Sequence, residues 1–135
     1  MLKRDSLTAQ MQQLSHTLAK VKRLIVEEQK GEALSTLRSV LGEYFGTTVT
    51  DLLETPANLF RQNFNKAGFQ AEELSLLADF LDTLADASER DTDRNGIWEK
   101  VLLIYDVLEQ EHKVVSFAHI ARKNEILALM GNKPS

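Results

Sequence analysis

The chain has 135 residues, a net charge of −4 and no cysteine. Disulfides, thiolate metal sites and cysteine nucleophiles are therefore excluded, and a chain of this length can bury a core without such staples. No apolar run approaches the ~20 residues that span a bilayer, and the start MLKRDSLTAQ leads into glutamine and serine, not an apolar signal core, so a cytoplasmic protein without a membrane partner is expected.

The first predicted helix is the clearest. Leu7, Met11, Leu14, Leu18, Val21 and Ile25 alternate spacings of four and three, which puts them on one face. Asp5 or Ser6 is placed to cap its start, and Gly31 to supply the left-handed turn at its end. The strict seven-residue repeat also fits a coiled-coil seam between copies. Packing within the chain is the simpler reading, because the next helix follows at once.

That second helix is expected over about Glu32–Phe45, burying Ala33, Leu34, Leu37, Val40, Leu41, Tyr44 and Phe45, with Gly46 ending it. The short turn makes the pair a hairpin over about 5–45. Residues 47–70 are less regular. Asp51–Glu54 fits one helical turn, and Thr55 caps a helix that starts at Pro56, buries Leu59, Phe60 and Phe64, and stops at Gly68.

A well-patterned helix follows over about Ala71–Ala87, with Leu74, Leu77, Ala78, Leu81, Leu84 and Ala85 inward. Glu72, Asp79, Asp82, Asp86 and Glu89 form its outer, acidic side. The polar string SERDTDRNG (88–96) reads as a loop, and the next helix runs from about Ile97 to Gln110 with Trp98, Val101, Leu102, Tyr105 and Leu108 inward. These two make a second hairpin over about 71–110. Ser116 caps a last helix to about Met130, which buries Phe117, Ile120, Ala121, Asn124, Leu127 and Met130; residues 131–135 are expected to form a disordered tail. The expected fold is all-α: a single domain over 1–130, a bundle or short α-solenoid of five to seven helices.

Two stretches, LAKVKRLIVEEQKGEALSTLRSVL (18–41) and LSLLADFLDTLADASERDTDRNGIWEKVLLIYDVL (74–108), resemble degenerate tetratricopeptide hairpins. Both lack the tryptophan-leucine-glycine start of that repeat. Together with MLKRDSL, KGEAL and KVVSFAHIARKNEIL, the chain resembles a family of small uncharacterised bacterial helical proteins with tetratricopeptide-like repeats. The resemblance implies a bacterial cytoplasmic setting and a peptide-binding surface, and it implies no activity.

Few strings carry chemistry. In DTDRNG, Asp91, Asp93 and Asn95 occupy alternate positions before Gly96, like the first half of a calcium-binding EF-hand loop. The twelfth position of that loop holds Leu102, which supplies no carboxylate, so at most a partial, weak cation site remains, and turn-forming residues in a flexible connection are the simpler explanation. Glu109 and His112 match one half of a di-iron motif, but neither His16 nor His119 has a glutamate three residues before it. The three histidines accompany no nucleophile signature, and no phosphate-cradling glycine motif is present. No cofactor is expected.

Charge supplies the other candidates. Residues 1–30 carry six Lys/Arg and three Asp/Glu, 31–113 carry seven and sixteen, and 114–135 carry three and one. The acidic side made by Glu72, Asp79, Asp82 and Asp86 and the basic face near Lys20, Arg23 and Lys30 are candidates for steering a partner, unless they are simply solvated faces. Tyr44, Phe45, Phe69 and Phe80 would anchor a contact if exposed, and core burial is their usual fate. The sequence thus reads as a non-enzymatic interaction module for a protein, a peptide or its own copy. One alternative is a small-molecule or metal-dependent enzyme using loop 86–99. The other is a DNA-binding protein using Arg122, Lys123 and Asn124 on helix 116–130, which the acidic net charge disfavours.

Overall fold

The computed structural model describes residues 2–131, with side-chain burial from Thr8 onward; residues 132–135 of the expected tail lie outside the described residues. Among the described residues there are seven helices and no strand: α1 (Leu2–Val26), α2 (Lys30–Glu43), α3 (Val49–Glu54), α4 (Ala57–Ala67), α5 (Ala71–Ala87), α6 (Asp91–Gln110) and α7 (Phe117–Gly131). The fold is an all-α helical bundle.

α5 forms its centre. Its inward residues Leu74, Leu77, Ala78, Leu81, Leu84 and Ala85 are buried as the pattern predicts, and Phe80, Thr83 and Ala87 are buried too. Burial on nearly every side follows from its neighbours: α6 along its length, α1 and α2 on one flank. The Gln70 N–H donates to the Glu73 carboxylate at 2.8 Å, and the other oxygen of Glu73 accepts from the Tyr44 hydroxyl of α2 at 2.9 Å. One side chain thus starts α5 and ties it to α2. Burial first, then Glu73, pushes the Tyr44 hydroxyl up to about 12.

The apolar stripe of α1 packs within the chain. Leu14, Leu18, Val21 and Leu24 are buried against the common core. Leu24 takes the place expected of Ile25, which is only partly buried, because a straight helix drifts from a strict seven-residue repeat. The left-handed residue between α1 and α2 is Glu28 at φ 62°, not Gly31, which lies in the first turn of α2. In the middle section Thr48 caps α3, and Gly68 at φ 70° ends α4. Phe60 and Phe64 are buried as expected, whereas Leu59 is 47% exposed. Arg61 anchors α4 to α6 through Asp106 at 3.1 Å and Glu111 at 2.8 Å.

The largest correction to the secondary structure concerns the polar string. DTDRNG is the opening of α6, not a loop, and only Ser88–Arg90 connect it to α5. Arg94 explains the early start. Its guanidinium donates to the carbonyls of Ser88 at 2.6 Å and Ala85 at 3.3 Å at the C-terminal end of α5, where carbonyls lack their full helical partners and Ala85 otherwise accepts only from the Ser88 N–H. Gly96 serves a close approach: a Cβ there would stand 2.8 Å from the Leu53 side chain of α3.

Candidate functional site

The residues that carry charge and exposed apolar surface meet where α7 lies over the α5–α6 hairpin. α7 is turned opposite to the sequence expectation. Of its apolar residues Ile126 alone is fully buried, and Met130 packs partly against the core. Phe117 is 91% exposed, Ile120 45% and Leu127 46%; Ala121 and Asn124 are exposed as well. The face expected inward is the outward one. The inward face carries His119, Arg122, Ile126 and Met130, spaced three, four and four.

Arg122 decides the rotation. Its Nε donates to Asp82 at 2.7 Å and a terminal nitrogen donates to the other carboxylate oxygen at 2.8 Å, a paired geometry that only guanidinium offers. Asp82 also accepts from the Trp98 indole N–H at 3.0 Å, so α5, α6 and α7 meet at one carboxylate. Arg122 reaches Asp86 at 3.5 Å and Glu125 at 3.3 Å. The hydrogen bonds to Asp82 hold the Arg122 guanidinium above its ordinary value, so its charge is permanent. Seating the outer apolar stripe instead would turn Arg122 to water and leave the mostly covered Asp82 carboxylate without its cation, and an uncompensated buried charge costs more than exposing a few apolar side chains.

The predicted acidic side is therefore only partly a free surface. Asp79, Asp82 and Asp86 share a stripe, of which Asp79 and Asp82 are half-buried beside α7, while Asp86 and Glu72 are exposed. Burial raises the Asp79 carboxyl above its ordinary value, against the opposing charges of Lys22 and His119. Lys20, Arg23 and Lys30 are exposed, as the basic face requires. Of the three residues of the DNA-binding reading, Arg122 is turned inward, while Lys123 and Asn124 are exposed.

The cation candidates do not converge. Asp91, Asp93 and Asn95 lie in the first turns of α6, where residues two apart point in nearly opposite directions. Asp91 pairs with Arg94 and Asp93 with Arg90. Among the described residues no group of three His, Asp or Glu is arranged to hold a metal. The enzyme reading that used 86–99 as a loop loses its geometric basis with the loop itself.

One combination escaped the sequence. His119 Nε2 lies 3.4 Å from the Ser75 hydroxyl, one helical turn from Asp79, and its ring stacks on Tyr105 at 4.7 Å and 20°. Three residue types of a hydrolytic triad are thus near one another. Ser75, however, sits mid-helix, where neighbouring backbone N–H groups are already bonded along α5, so none is available to an oxyanion. Asp79 makes no hydrogen bond to His119. The group packs α7 onto the hairpin; sequence spacing gives no signal of it, because Ser75 and His119 lie 44 positions apart. Burial, then Asp82 and Asp79, pushes the Tyr105 hydroxyl up to about 12.

Two clefts open on the surface. One of about 220 Å³ runs beside α7, between Tyr105, Glu109, Val115, His119, Ile120 and Lys123. The other, about 290 Å³, lies between the end of α2 and helices α3, α4 and α5. No helix among the described residues is long and apolar enough to cross a membrane. The chain matches no protein-family model, no curated protein and no solved structure.

Proposed function

We propose that this chain is a non-enzymatic cytoplasmic protein- or peptide-interaction module of tetratricopeptide-like type, and that its partner is an amphipathic helix docking on the outer face of α7. The observation that carries this reading is the uncovered stripe of Phe117, Ile120 and Leu127, preceded in the chain by Val115 at 67% exposure. Single exposed apolar residues are ordinary, whereas a row of them with a fully presented phenylalanine resembles the anchor set of an interface. Phe117 and Leu127 stand about 15 Å apart along the helix, a span that three turns of a partner helix match. Glu109 and Lys123 rim the adjoining cleft and pair with nothing among the described residues, so a partner carrying both charge signs beside its apolar stripe is favoured.

A selection from a random library of helical peptides against the immobilised protein tests this. The expected winners carry apolar residues at helical spacing, and they lose at least about tenfold in affinity against a Phe117→Asp, Leu127→Asp variant that retains its helical circular dichroism. Failure to enrich any peptide, or winners that bind the variant equally, would sink the proposal. Concentration-dependent sedimentation that the same variant abolishes would identify the partner as a second copy.

A further inference from the structure

The second cleft has an unusual wall. Four of the chain's six phenylalanines, Phe45, Phe60, Phe64 and Phe69, line it, although they come from three different segments. Their rings meet edge to face, Phe60 with Phe64 at 4.7 Å and Phe45 with Phe69 at 5.8 Å, and Phe45, Phe60 and Phe64, nearly buried, form an aromatic lining for the cleft. The cleft is partly open, and at about 290 Å³ it is close to the lower bound of small-molecule sites. It holds on the order of ten water-sized groups.

Its polar groups are few and lie at the rim. Asp51 is exposed, lines the cleft and its carboxylate forms no ion pair or hydrogen bond among the described residues; only its backbone is used, the N–H in the cap with Thr48 and the carbonyl accepting from the Thr55 N–H. Thr55 and Asn63 line the same rim, and their side chains likewise make no hydrogen bond among the described residues. One of the wall rings already accepts a cation: the Lys100 ammonium lies 5.6 Å from the centre of Phe60. Aromatic faces and an unpaired carboxylate together favour a compact cation with an apolar body, since the rings attract the charge by their quadrupoles and bury the hydrocarbon.

From the four phenylalanines and the unpaired Asp51 we infer that this cleft binds a small arylalkyl ammonium, its ring among the phenylalanines and its ammonium on Asp51. No residue of α7 lines the cleft, so this site stands or falls apart from the proposed partner face.

The probe is 2-phenylethylammonium, with 2-phenylethanol as the neutral and 3-phenylpropanoate as the anionic comparator, titrated into ¹⁵N-labelled protein. The ammonium is expected to shift the amides of Gly46, Thr47, Thr55 and Asn63 with half-saturation at or below about 1 mM, and to bind about tenfold more tightly than the alcohol. Asp51→Asn removes that preference. Ala67→Leu fills the cleft from an exposed position at the end of α4 and abolishes binding while thermal unfolding stays as in the parent. No shifts up to about 10 mM, equal binding of the alcohol or the anion, an Asp51→Asn protein that keeps its preference, or a folded Ala67→Leu protein that still binds would each overturn the inference. The anionic comparator is included because the Lys100 ammonium, though not a lining group, lies 5.6 Å from the Phe60 ring and would favour an anion.

Discussion

α5 and α7 carry similar amphipathic patterns in sequence and meet opposite fates. α5 buries its apolar stripe and much of its remaining surface, whereas α7 turns its stripe outward and seats a charged residue on the hairpin. A helical apolar pattern states which residues share a face; it does not state that anything covers that face. For α5, neighbours on several sides make every rotation a buried one. For α7, a single layer lies beneath, and the partner for Arg122 decides which side faces it.

Four substitutions sharpen this contrast. The largest effect belongs to the centre: Phe80→Ala empties a fully buried site and should cost about 3–5 kcal/mol, read as a cooperative loss of the whole denaturation transition. If the midpoint barely moved, α5 would not be the centre of the fold.

Next comes the clamp. Arg122→Ala leaves Asp82, whose side chain is only 16% exposed, without its cationic partner, and should cost about 2–3 kcal/mol. The signature is local: amide exchange accelerates through α7 while α5 stays protected. Equal acceleration in both helices would mean that α7 is as integral as α5.

Asp79 gives a pH-dependent test. Its folded carboxyl is raised by burial, so its contribution to stability is present below the ordinary carboxylate range and lost as pH rises through the raised value. At neutral pH the ionised group is therefore a cost. Asp79→Asn should raise the midpoint by about 1–3 °C at pH 7, with the gain disappearing near pH 3. A gain independent of pH would point to packing and not charge.

The smallest effect is the most discriminating. Phe117→Ser should change stability by no more than about 0.5 kcal/mol, because the ring is already in water. A loss of several kcal/mol would place Phe117 in the core, where its sequence pattern expected it.

Much of the architecture was legible before any coordinates. The range of α5 agrees to the residue, as do the burial of Ala33, Leu37, Leu41 and Phe45 (Leu34, Val40 and Tyr44 being only partly buried) and the stop at Gly68, because each rests on interactions within a turn or two. The opening of α6 was misread because Asp, Asn and Gly favour turns in isolation, whereas here Arg94 caps α5 from within the new helix. The acidic stripe was correctly grouped, and Glu72 and Asp86 are exposed as expected, but nothing in its own spacing reveals that Arg122, 40 positions away, lies over Asp82. The aromatic cleft was invisible for the same reason: its four rings are unremarkable core candidates until three segments bring them round one space.

What the sequence determined by itself is the set of local choices: helix against strand, where turns stop helices, and which side chains share a face, all governed by backbone sterics and short-range hydrogen bonds. Which of those faces is covered was decided by tertiary structure alone. Covering depends on the competition between burying apolar surface and desolvating charge, and that balance is settled only once the partners of Arg122 and Asp79 are in place.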